Sequence, residues 1–200
     1  MKNALLRLAL VVSALAGLTS CMSSGLSSAA KLAALSPLDA NPAEFRVALY
    51  APTALRLKTG DARLGFGWSQ TGSVASTKVF DLEIVPGKAG SASVLPPLRQ
   101  GQQAIVLSLG AREADSVLKF QQAVREAKEA GQDGRGNISV SLAGGCWSEP
   151  FPVDDRPLPL DIWLQASAGS EYIPVIRDVD LRTILKQAGL KTVPQCVNAS

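Results

Sequence analysis

The chain has 200 residues, 20 of them Lys or Arg and 17 Asp or Glu, with no histidine and 5% aromatic residues. A formal net charge of +3 with no basic run lacks the electrostatic footprint of a nucleic-acid binder, so nucleic acid is not an expected partner. The missing histidine removes the usual general base and the commonest metal ligand, which argues against common hydrolase chemistry.

At the N-terminus, Lys2 and Arg7 form a positive region, and Leu5 to Leu18 form an apolar run broken only by Arg7, Ser13 and Gly17. This is the pattern of a secretory leader. It is too short for a membrane span, which needs about 20 consecutive apolar residues, because Thr19, Ser20, Ser23 and Ser24 follow at once. The run ends in Leu18-Thr19-Ser20-Cys21, and here the chain resembles bacterial lipoproteins, whose leaders close with Leu, a small or hydroxyl residue, another small residue and the lipidated Cys. The resemblance covers residues 1–21 alone. It implies removal of residues 1–20, a diacylglycerol thioether on Cys21 and a further acyl chain on the new amino group. One chain binds a membrane only marginally, so several give firm anchoring with no transmembrane segment. In that family Asp after the Cys favours the inner membrane; Met22 stands here, which implies the outer membrane, facing the periplasm. The alternative is a plain signal peptide with an incidental cysteine.

Loss of Lys2 and Arg7 with the leader leaves 18 basic against 17 acidic residues, a net charge of +1. Residues 22–42 are rich in Ser and Ala with Pro37 and Pro42, and read as a flexible tether. Residues 43–200 are long enough for one domain with a proper core and too short for two comfortable ones.

Within that domain Phe45, Val47 and Leu49 alternate with Glu44, Arg46 and Ala48, and Leu55 and Leu57 with Arg56 and Lys58. Both predict half-buried strands. Leu64, Phe66 and Trp68 alternate with Arg63, Gly65 and Gly67 beyond the turn residues 59–62, so residues 54–69 predict a hairpin. Phe80, Leu82 and Ile84 predict a further strand, residues 86–101 a loop, and Ile105, Leu107 and Leu109 another strand. At about 112–130 the period changes: Val117, Phe120, Val124 and Ala127 lie on one face of an amphipathic helix stopped by Gly131. Ile138, Val140 and Leu142 then alternate with Asn137, Ser139 and Ser141 as a strand. If the strands flanking this helix are neighbours, they run parallel with a right-handed crossover; otherwise the helix caps a sandwich. Leu160, Ile162 and Leu164 form a strand, residues 172–176 a short extended piece, and Asp178 or Asp180 caps a C-terminal helix at about 179–188. The fold class expected is α+β and β-rich, an antiparallel sandwich or open sheet of six to eight short strands carrying two helices.

An exported compartment permits a disulfide, and Cys146 and Cys196 remain once Cys21 is lipidated. A bridge would pin the tail after Pro194, and closing a loop of this length stabilises by roughly 4 kcal/mol in the chain-entropy model. Two buried thiols or a redox pair are the alternatives, the latter without a C-x-x-C spacing.

Several constellations suggest chemistry without carrying it. Ser116 to Lys119 matches S-x-x-K and Lys58-Thr59-Gly60 matches K-T-G, two fragments of the penicillin-binding signature. Their order is reversed and the central S-x-N element is missing, so Ser116 and Lys119 are expected on a solvated helix face. Asp154, Asp155, Asp161, Asp178 and Asp180 could gather around Ca²⁺, yet their spacing fits no EF-hand and they are better explained as caps and turns. Gly131 to Gly136 follows a helix, the wrong order for a phosphate loop. Trp163 lies on the polar side of its strand, where it is an interface residue if exposed and core if a second layer covers it. No catalytic residue, metal or cofactor is expected. The reading is a lipid-anchored envelope protein that binds or scaffolds another envelope component, with a small-ligand carrier or histidine-free enzyme as the alternative.

Overall fold

The computed structural model describes residues 39–70, 76–86 and 95–197, with the backbone alone at Gln70. The leader, Cys21, the tether to residue 38 and residues 87–94 of the expected loop lie outside the described residues.

The strands are β1 (Arg46–Pro52), β2 (Leu55–Arg56), β3 (Ala62–Gln70), β4 (Ser76–Ile84), β5 (Gln102–Leu109), β6 (Gly134–Leu142), β7 (Cys146–Trp147), β8 (Pro159–Gln165) and β9 (Ile173–Asp180). The helices are α1 (Ala111–Glu129) and α2 (Leu181–Gln187), and a 3-10 turn, Pro42–Glu44, precedes β1. Seven strands form one curled sheet in the order β6-β3-β4-β5-β1-β8-β9, while β2 and β7 form a separate ladder. Every pairing within the two sheets is antiparallel. The fold is therefore α+β and β-rich, an open antiparallel sheet shaped as a half-barrel.

The main core lies between this sheet and the helices. From β3 come Leu64, Phe66 and Trp68, from β4 Phe80 and Leu82, and from α1 Ala114, Val117, Phe120 and Val124. Helix α1 begins and ends within one residue of its predicted bounds, and Gly131, at φ 77°, closes it. The Gly131 and Gln132 amides donate to the Lys128 and Ala127 carbonyls, satisfying C-terminal carbonyls that a side chain with Cβ would reach only with strain. Gln121 is 1% exposed on the same face, and its amide donates to the Ala40 carbonyl at 3.0 Å, tying the entry of the domain to the helix. Helix α2 is capped by Asp180, whose carboxylate accepts the Arg182 amide at 3.0 Å.

Two expectations are corrected. Residues 54–69 do not form a hairpin: β2 pairs with β7, and β3 pairs with β4 and β6. Both edges of β3 are taken by β4 and β6, which leaves none for β2. Leu55 O accepts from the Gln103 amide at 2.6 Å and from Arg56, and the Thr53 carbonyl also accepts from Arg56. The turn itself is present, closed by the Asp61 amide on the Lys58 carbonyl at 3.0 Å. Secondly, the strands flanking α1 are not parallel neighbours. Strand β5 lies between β4 and β1, whereas β6 joins β3 over nine residue pairs, a ladder long enough to decide its place.

Candidate binding face

Strand β1 is central, paired along both edges by β5 and β8, and its side chains are buried on both faces of the sheet. Val47, Leu49 and Ala51 point into the main core; Ala48 and Tyr50, on the side expected to be polar, are 0% and 2% exposed. They belong to a second apolar cluster with Val106 and Tyr172, joined by the half-buried Val85, Leu95, Ala104 and Trp163.

Trp163 takes neither of its two expected places outright. It is half-buried on the face opposite the main core, its ring 6.1 Å from that of Tyr50 and 5.6 Å from the Arg177 guanidinium carbon. Its indole N–H is buried without a hydrogen-bond partner among the described residues. The Tyr50 hydroxyl donates to the Pro96 carbonyl at 2.5 Å. Burial, then the neighbouring Tyr172 and Asp161, raise the Tyr50 phenol above its ordinary value of 10.0. Burial raises Tyr172 likewise, against a smaller opposing effect of Arg46.

Continuous with this cluster is an open groove of about 300 Å³. It is lined by Leu55 on β2 and Leu57 just after it, Val85 and Pro86 after β4, and Ala104 and Val106 on β5, so Val85, Ala104 and Val106 belong to both features. The polar side chains on the groove face their own backbone. The Gln103 amide donates to the carbonyls of Pro52, Thr53 and Leu55, and Arg56 donates to those of Thr53 and Leu55. Such a surface suits an apolar side chain or an extended apolar segment, held by burial and oriented by the aromatic end.

The five aspartates do not gather into one cluster, although Asp161 and Asp178 lie together. Asp161, 2% exposed, accepts the Asp178 amide at 2.8 Å, the Gln102 amide at 3.4 Å and Arg99 at 3.5 Å, while Arg99 also pairs with the Asp178 carboxylate. Asp180 accepts the amides of Leu158 and Arg182, and Asp154 pairs with Arg156 at 2.7 Å. The Arg156 hydrogen bond holds the Asp154 carboxyl below its ordinary value. Among the described residues no group of three or more Cys, Asp or Glu is placed to hold a metal ion. Ser116 donates back to the Arg112 carbonyl one turn earlier on α1, and Lys119 is exposed. Gly131 to Gly136 runs from the end of α1 into β6.

Cys146 and Cys196 are disulfide-bonded, with Cα atoms 4.8 Å apart. The bond is backed by the Trp147 amide on the Pro194 carbonyl at 2.8 Å and the Cys196 amide on the Trp147 carbonyl at 2.9 Å. No helix among the described residues is long and apolar enough to cross a membrane.

Sequence reasoning missed the face as a whole. The signal was present in Tyr50 and Trp163, aromatic residues at positions that alternation assigns to the polar side of β1 and β8. Compared with known protein families, with curated proteins and with solved structures, the chain matches none.

Proposed function

We propose that the protein is anchored in the bacterial cell envelope through lipid on Cys21, on the periplasmic side of the outer membrane, and that its domain binds or scaffolds another envelope component. The observation that carries the binding part is the open apolar groove bordered by Leu57, Val85, Pro86 and Ala104. The groove's polar side chains, Gln103 and Arg56, are engaged by the chain's own backbone, which leaves apolar contact as the main interaction on offer there. Catalysis has no comparable support, since Ser116 is bonded within its helix and the aspartates are paired with arginines or amides.

The groove volume favours a second reading, a carrier for a small apolar ligand, because about 300 Å³ falls at the lower end of ligand-site sizes.

Two experiments separate the parts. Cys21→Ala moves the protein from the detergent-extracted membrane to the soluble exported fraction if the anchor is lipid; unchanged partitioning contradicts it. A photo-crosslinker at exposed Arg56, on the groove, captures one envelope protein reproducibly in living cells, whereas the same group at exposed Lys119, on α1, does not. A small molecule co-purifying with the protein in place of a crosslinked partner favours the carrier.

A further inference from the structure

An open sheet has two edges, and those of this sheet differ. Strand β9 carries Pro174, which offers no N–H, and Arg177; its pairing with β8 is broken by register shifts, and Asp178 stands at φ 58°, a left-handed conformation. These are devices that keep a sheet edge from recruiting another strand. Strand β6, Gly-Arg-Gly-Asn-Ile-Ser-Val-Ser-Leu, has no proline, register shift or left-handed non-glycine residue. It is nine residues long and regularly paired with β3 throughout, and it contains no proline and a single charge, Arg135. No strand among the described residues pairs with its other side.

The sequence of β6 matches itself. On the core side Ile138, Val140 and Leu142 are only half-buried, and on the outer side Ser139 and Ser141 are exposed. An antiparallel copy must keep core-side residues opposite core-side residues. Of the registers that do so, the one centred on Val140 sets Ile138 against the second copy's Leu142, Val140 against Val140, and Ser139 against the second copy's Ser141. All three apolar residues then gain apolar partners, and the serine pair is of a kind that stabilises neighbouring strands. Centring on Ile138 would instead place Val140 and Leu142 opposite glycines. In the Val140 register Arg135 falls beyond the paired stretch, so no like charges meet.

We propose that β6 is a self-association edge: two copies of this chain pair through it, antiparallel, about a two-fold axis at Val140, making one sheet of fourteen strands from the two seven-stranded sheets. The contact is isologous, as a two-fold requires. Backbone hydrogen bonds supply the attraction and the Ile-Val-Leu row fixes the register.

The test is cysteine crosslinking of the full chain, purified in detergent, under mild oxidation. Val140→Cys keeps the side chain near its present size and gives a covalent dimer on non-reducing gels, several-fold above the wild type. Ser139→Cys or Ser141→Cys alone does not, because each faces the other position rather than itself, but a mixture of the two variant chains does. Absence of dimer from Val140→Cys and from the mixture, with a monomeric mass by sedimentation equilibrium for the wild type, overturns the proposal. So does equal crosslinking at all three positions, which would reflect random collision, or capture in cells of a different protein by the Val140→Cys variant in place of a second copy.

Discussion

Asp161 on β8 accepts the backbone N–H of Asp178 on β9 at 2.8 Å, and a single guanidinium, that of Arg99, bridges the two carboxylates. This clasp holds the left-handed Asp178 and closes the sheet margin beside the Tyr50–Trp163 cluster. Asp161→Ala leaves three donors without their buried acceptor and destabilises the domain by about 2–4 kcal/mol. Asp161→Asn, which retains one acceptor oxygen, loses less. Urea denaturation of the two variants checks the order; equal, near-zero losses would contradict the clasp.

The two tyrosines in the chain, Tyr50 and Tyr172, both belong to the outer-face cluster. Phenolate absorbance is therefore a direct probe of that face. Both phenols are raised above 10.0. A folded-state value above the unfolded one means that the buried neutral phenols stabilise the fold below pH 10 and that this contribution is lost as pH rises through the folded values. An alkaline titration should show a midpoint above 10.0 in native protein and a fall toward it in denaturant. A native midpoint at or below 10.0 would show the cluster to be solvated.

How far such features could be read from the chain depends on the range of the interaction. Helix α1 and the burial of Leu64, Phe66, Phe80 and Leu82 follow from local period, since each residue's side is set by its immediate neighbours. Strand partners are not local. Alternation in 55–58 predicted a strand that is two residues long, because its partner is the short β7, far along the chain, and not β3. Ala48 looked outward only because nothing in 44–49 announces that β5 and β8 will flank β1 and a second cluster will cover it. Asp180 was one of two candidate caps; Asp178 proved to be the left-handed residue of the clasp.

At the acid end, Glu44 is held below its ordinary value of 4.5, first by the Ala168 amide that donates to it at 2.9 Å and then by Asn41. The ionised carboxylate supports the fold above pH 4.5, and that support is lost as pH falls through its lower folded value. Glu44→Gln should flatten the decline in stability below about pH 4.5, measured by denaturation at stepped pH. An unchanged acid limb would mean that the contact to Ala168 carries no weight in solution.

The bond between Cys146 and Cys196 closes a loop spanning 50 residues. Replacing both by Ser should lower stability by roughly 4 kcal/mol in the chain-entropy model and release the tail from Trp147. Denaturation of the wild type with and without reductant should reproduce the difference. Identical curves would show that the tail is held without the bridge.

Binding through the apolar groove is tested by in-cell photo-crosslinking from position 56, with and without Ala104→Glu. Arg56 and Ala104 line the same groove, and a buried carboxylate there is unfavourable to any apolar occupant. One envelope protein should be captured, and Ala104→Glu should abolish the capture while circular dichroism shows an intact fold. Undiminished capture in a folded Ala104→Glu protein would place binding elsewhere and contradict a role for the groove.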